Sequence, residues 1–229
     1  MKRFYETATL SASAGGYAVL LDGKPVNTPA RRHLVVPAEA LAKAVAAEWN
    51  AQGGEIDPAS MALTGLANAA IDRVAPDPAD FAAGLARYAD NDQLCYRAAG
   101  PADLAARQSR EWDPLLAWAR RRYDIDLVLA SGVIHVPQPP LAVTRLSAAV
   151  AALDPFRLAA LSPLVTIGGS LVIALALLDG EIAPEAAFDI AHLDELWQAE
   201  KWGDDSEAIT ARKSRRADFT AAARMLALL

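Results

Sequence analysis

The sequence predicts an α+β protein: a small β-rich N-terminal domain with a linking helix, residues 1–55, followed by a larger multihelical domain, residues 56–229. Three observations predict it. From Tyr5 to Pro37 the residues alternate or are β-branched, and Gly15-Gly16, Asp22-Gly23 and proline-containing turns punctuate them. After Pro37 the apolar period changes from that of a strand to that of a helix. Hydrophobic residues make up 53% of the 229, enough for a real core and too many for a disordered chain.

The elements follow in order. "YAVLLDGKPV" is a hairpin candidate because Asp-Gly suits a two-residue turn in which both residues take positive φ. "AEALAKAVAAEWNAQGG" places Leu41, Val45 and Trp49 on one helical face and stops at Gly53-Gly54. Asp57-Pro58 and Asp77-Pro78 each offer an acidic cap with proline at the first helical position, ahead of "ASMALTGLANAAIDRV" and "ADFAAGLARYAD". Asp113-Pro114 predicts a kink or a fresh helix that aligns Leu115 and Trp118. "IDLVLASGVIHVPQPP" is an extended excursion ending in a proline-rich connector. A helix over "VTRLSAAVAAL" follows, then a buried core helix over "LVTIGGSLVIALALL". A break at Asp179-Gly180, a new start at Pro184 and a last helix from about Ser206 complete the chain.

The totals exclude several classes of function. A formal net charge of -6 and a pI near 5.1 argue against binding a nucleic-acid backbone. The basic runs Arg120–Arg122 and Arg212–Arg216 lie beside acids and read as solvated helix faces. One cysteine, Cys95, leaves no internal disulfide and no cysteine-rich zinc site. "MKRFYETATL" lacks the apolar block of an export signal. The run "LVTIGGSLVIALALL" is 15 residues, short of the roughly 18 or more that a membrane span needs.

Signals of catalysis are few. There is no Walker lysine spacing, no helix-opening glycine loop and no G-x-S-x-G elbow. His33, His135 and His192 are isolated. "YADNDQLCYRA" pairs Asp90 with Asp92, which could hold Mg²⁺; the plainer reading has them end one helix and cap the next, with Arg97 neutralising them. His192 and Glu195, three apart, could share a metal, but no second pair accompanies them. Cys95, between Leu94 and Tyr96, reads as a small buried hydrophobe. Trp49, Trp112, Trp118 and Trp197 sit on apolar helix faces and read as core. In "HLDELWQAEKWGDD", Ile190, Leu193 and Trp197 share the inner face, which leaves Glu195, Gln198 and Trp202 outward. An exposed tryptophan beside polar groups is how protein-binding hot spots look.

Several segments together resemble one family. "KRFY", "LDGKPVNTP", "AAEWNAQ", "YADNDQLCYRA", "QSREWDPLLAWARRRY" and "LDELWQAEKWGDDSEA" stand in the order and at roughly the spacing of the assembly chaperones for the α subunit of the ATP synthase catalytic sector, found in mitochondria and α-proteobacteria. The resemblance covers nearly the whole chain. It implies a β-rich domain before a larger helical one and a non-enzymatic, cofactor-free role: transient binding of the unassembled α subunit until the β subunit arrives. Asp194 and Glu195 fall on the acidic stretch of the family, and Gln198, Trp202 and Glu207 complete the expected client-binding set. The absence of a presequence before "KRFY" favours a bacterial cytoplasm, against the mitochondrial matrix of eukaryotic relatives. A monomer without stable membrane insertion is expected. Two other readings remain beside it, a small metal-assisted hydrolase using Asp90 and Asp92, and a helical adaptor for some other protein.

Overall fold

A computed structural model describes residues 1–132 and 134–229. Val133, within the expected extended excursion, lies outside the described residues. The fold is α+β, and the chain divides into two compact units. The first comprises Met1–Pro78, Asp154–Ala160 and Arg224–Leu229; the second comprises Ala79–Leu153 and Leu161–Ala223. The β-rich unit therefore extends beyond residue 55 and takes in two later segments. Packing is the reason: Met61 and Leu63, and from far along the chain Ala160 and Met225, are buried in the same cluster as Val19 and Val36 of the sheet.

In the first unit β1 (Ala8–Ser13) and β2 (Gly16–Leu21) pair antiparallel along their whole length, from Ala8 opposite Leu21 to Ser13 opposite Gly16. The other side of β2 takes two short strands, β3 (Lys24–Pro25) at one end and β4 (Val35–Val36) at the other. Asp22 and Gly23 connect β2 to β3 with φ of 47° and 79°, the primed turn that the dipeptide predicts. At Gly16, φ is +141° and an added Cβ would lie 2.1 Å from the carbonyl oxygen of Val36; only glycine lets β4 come that close.

Helix α1 (Glu39–Asn50) buries Leu41 and Val45 completely. Trp49 continues that face but is only half-buried. Its ring meets Tyr5 edge-on at 5.6 Å, and the Tyr5 hydroxyl donates to the Trp49 carbonyl at 2.6 Å. Glu48 accepts from the backbone N–H groups of Leu63 and Thr64, each at 2.8 Å, and so caps α2 (Ala62–Ala69).

The second unit is built on α4 (Ala102–Tyr123), which follows α3 (Pro78–Ala86). Pro114 starts no new helix: α4 runs unbroken from Ala102 to Tyr123 with the proline inside it. Pro114 and Arg110, whose carbonyl loses its helical partner, are both exposed, so the loss falls on the solvent side of the helix. The chain continues through α5 (Pro140–Ala151), α6 (Pro155–Gly168), α7 (Leu171–Leu178), α8 (Pro184–Ala191), α9 (Leu193–Trp202) and α10 (Ser206–Ala227). Two short strands, β5 (Tyr96–Arg97) and β6 (Ala130–Ser131), pair in parallel.

The expected single core helix over "LVTIGGSLVIALALL" is two helices. Gly169 takes φ of +64°, and Ser170 Oγ accepts from Ile173 N at 3.0 Å to open α7, whose Leu171 to Leu177 are all buried. No helix among the described residues is long and apolar enough to cross a membrane.

Candidate functional site

The expected binding residues lie on α9 and the first turn of α10. His192 separates α8 from α9: its Nδ1 bonds the Phe188 carbonyl at 2.9 Å and its ring stacks on Phe188 at 3.9 Å. Burial, the largest influence, holds its pKa below the ordinary histidine value. The ring is a structural joint between the two helices. Gly203, with φ of 83°, ends α9, and Asp205 caps α10 by accepting from Ala208 N at 2.8 Å.

Along α9, Leu193 and Trp197 are buried and Gln198, Glu200 and Trp202 are exposed. Trp202 is 74% exposed, its ring touching Trp197 edge-on at 5.5 Å. Glu207 is exposed on α10. Glu195 departs from expectation: it does not stand outward with Gln198 and Trp202 but turns to α10. Arg212 donates to it from Nε at 3.1 Å, and Arg215 Nη2 reaches both carboxylate oxygens at 2.8 Å. The two terminal nitrogens of Arg212 bond Asp204 at 2.7 and 2.6 Å. This pairing raises the pKa of Arg212 and lowers that of Asp204, in each case first through their mutual hydrogen bond. The basic run expected as a solvated face is thus half-buried at Arg212, Arg215 and Arg216, the last paired with Asp189.

Asp194, one residue earlier, points elsewhere. Its Oδ1 accepts from Gln108 Nε2 at 2.8 Å, and Gln108 Oε1 in turn accepts from Ala98 N at 2.8 Å. Gln108 is 1% exposed. One buried amide therefore sets the carboxylate that faces α4. Beside these acids a cleft of about 620 Å³ opens between α4, α8, α9 and α10, lined by Arg107, Asp189, Ile190, Leu196, Glu200 and Arg212. Arg107 pairs with Glu200 at 2.7 Å and Lys201 with Asp103 at 3.0 Å across the α4–α9 seam. The cleft is lined by committed charges and by the apolar side chains of Ile190, Leu193 and Leu196; Trp202 is the last residue of the same helix α9. Gln108, Arg212 and Arg215 hold Asp194 and Glu195 in place, roles that escaped the sequence reading. The only sequence signal was an acid-rich helix followed closely by a basic one.

The other enzyme-like group is structural. Asp92 has no exposure; its two oxygens accept from Leu94 N at 3.0 Å and Val172 N at 2.9 Å, tying the turn before β5 to the start of α7. Burial pushes its pKa up to about 6. Asp90 accepts from Gln138 N at 2.8 Å. Arg97 neutralises neither of them: it pairs with Asp113 at 2.7 Å and lies over the Trp112 ring. Among the described residues no three His, Cys, Asp or Glu side chains converge as a metal site. Cys95 is buried, and burial raises its thiol to about 12.

Residues 2–120 match the family model described as ATP12 chaperone protein. The crystal structure of Atp12 from Paracoccus denitrificans shares 44% identity and a TM-score of 0.95, over 99% of this chain and 97% of that one. The Atu1473 protein from Agrobacterium tumefaciens gives 41% and 0.95, over 99% and 85%. Protein atp12, mitochondrial, of Schizosaccharomyces pombe is 22% identical over 219 residues, covering 90% of this chain and 75% of that protein. Fold and likeness together define a molecular chaperone. The chain belongs to the ATP12 chaperone protein family, the chaperones of ATP synthase assembly.

Proposed function

We infer that this chain binds the unassembled α subunit of the F-type ATP synthase, transiently and as a monomer in a bacterial cytoplasm, and that it is not an enzyme. The client surface is the outer side of α9 with the start of α10, Gln198, Trp202 and Glu207, together with Asp194 and Glu195, which flank it and are held by Gln108 on α4 and by Arg212 and Arg215 on α10. The exposure of Trp202, 74%, carries the reading. A large aromatic held in water against Trp197, in a segment whose sequence carries Glu200, Asp204 and Asp205, has the make-up of an interface anchor. The neighbouring carboxylates supply the charge that orients a basic client patch and disfavours wrong partners. Glu195 serves this surface while bonded to Arg212 and Arg215, by keeping α9 seated rather than as a free charge. The hydrolase reading draws no support, because both oxygens of Asp92 are occupied by backbone N–H groups.

The test is suppression of aggregation of isolated ATP synthase α subunit by purified wild type and Trp202→Ala. Lost protection at unchanged melting temperature is the expected result. Full protection by a well-folded Trp202→Ala would place the client site elsewhere.

A further inference from the structure

We propose that the outer edge of β1 is a strand-pairing site, on which an extended segment of the client adds to the sheet through main-chain hydrogen bonds at Leu10 and Ala12. The identity of the client rests on the reading above; the site itself rests on the first unit alone.

The direction of the backbone groups is set on the page. Val19 stands opposite Leu10, and its own N–H and C=O are spent on the far side, on Leu34 O at 3.3 Å and Val26 N at 2.9 Å. Val19 and Leu10 are therefore a non-hydrogen-bonded pair, and the N–H and C=O of Leu10 point away from the sheet. By the two-residue period Ala8 and Ala12 point the same way. At Ala8 that edge is already occupied: its N–H donates to Asn50 Oδ1 at 2.8 Å, and Asn50 Nδ2 donates to its C=O at 2.9 Å. The carboxamide of Asn50 makes the two bonds that a neighbouring strand would make, and so displays the complementarity that the rest of the edge offers. Among the described residues Leu10 has no such partner, and Ala12 has only a long bond of 3.4 Å from Ser11 Oγ to its C=O.

The two edges of this sheet are treated differently. On the side of β3 and β4 the strands are two residues each, with Pro25 in one and Pro37 directly after the other, the usual protection against stray pairing. β1 has six residues, "ATLSAS", in unbroken register, without a charge, a proline or a bulge. Thr9, Ser11, Ala12 and Ser13 are exposed. An uncharged edge of this length is normally blunted; left open in a chaperone, it fits strand addition, in which the main chain supplies affinity. The occupant is an extended segment of the client, whose main chain would make at Leu10 and Ala12 the pair of bonds that the Asn50 carboxamide makes at Ala8.

Amide hydrogen exchange of the chain, alone and in complex with isolated α subunit, reads the edge directly. Exchange at Leu10 and Ala12 should slow by about tenfold or more in the complex while Thr9 and Ser11, already bonded to β2, stay unchanged. Ala12→Pro removes an outward donor and no ladder bond; it should melt like wild type and hold the subunit about tenfold more weakly. The exchange measurement stands even if that variant fails to fold. A complex in which Leu10 and Ala12 exchange as in the free chain overturns the site. So does protection that appears without the subunit and grows with chain concentration, which would make the edge a self-association surface. Failure to form any complex is a different result: it removes the client reading, and this occupant with it.

Discussion

Arg212 donates its Nε–H to Glu195 at 3.1 Å and clasps both oxygens of Asp204 with its terminal nitrogens at 2.7 and 2.6 Å. One guanidinium, with 13% of its side chain exposed, thus ties the start of α9, the turn after it and the body of α10 into a single unit. The acid that a helical wheel turns toward solvent is in fact part of a clamp between α9 and α10, beside the proposed client surface.

Glu195→Lys should consequently lower stability. The new ammonium would face Arg212 and Arg215, and the half-exposed setting limits the loss to about 1–2 kcal/mol. Denaturant unfolding beside wild type measures it. An unchanged midpoint would mean that the two arginines simply swing into solvent.

Gln108→Leu should cost about 1–3 kcal/mol, because it leaves the Ala98 N–H without its buried acceptor and releases Asp194. Gln108→Glu keeps the acceptor for Ala98 but sets a second carboxylate against Asp194, so it should regain stability as the pH is lowered. A Gln108→Glu protein with no pH dependence beyond that of wild type would show that Asp194 is not held by residue 108.

Asp92 gives a pH dependence of defined sign. Its folded pKa is raised from 3.8 to about 6, chiefly by burial, so the folded state holds the proton more tightly than the unfolded chain. The stability this contributes is complete below about pH 4 and is lost as the pH rises through about 6. Surface acids such as Asp204 and Glu200, whose values are lowered by arginine partners, act in the opposite sense. The comparison with Asp92→Asn isolates the buried group: the stability of wild type relative to the variant should fall between pH 4 and 6.5. A difference that stays flat over that range rejects the assignment.

Gly16→Ala should cost more than the usual glycine substitution, about 2–4 kcal/mol, because a methyl group must displace the Val36 carbonyl and tolerate positive φ. Gly53→Ala, where nothing lies within 4 Å of the added carbon, is the control and should be near neutral. Thermal melting of the two distinguishes a close approach of β4 from a generic loss of chain flexibility.

Local signals determined much of this protein. The Asp22-Gly23 turn, the strand-to-helix change after Pro37, the start of α8 at Pro184 and the buried Trp112, Trp118 and Trp197 all follow from turn chemistry and apolar period, which act over a few residues. The order of six segments was enough to find the family. Only the tertiary structure decided the rest, because it depends on which distant groups meet. Gly169 and Ser170 split an apolar run that looks continuous, since Asp92, some eighty residues earlier, accepts from the first turn of α7. Ala160 and Met225 join the β-rich unit because apolar surface is buried wherever it fits, without regard to distance along the chain. Asp194 and Glu195 are neighbours in sequence, and a helix turns successive residues by about 100°. Their different roles, one set by Gln108 and the other by Arg212 and Arg215, exist only once α4 and α10 have closed on α9 from two sides.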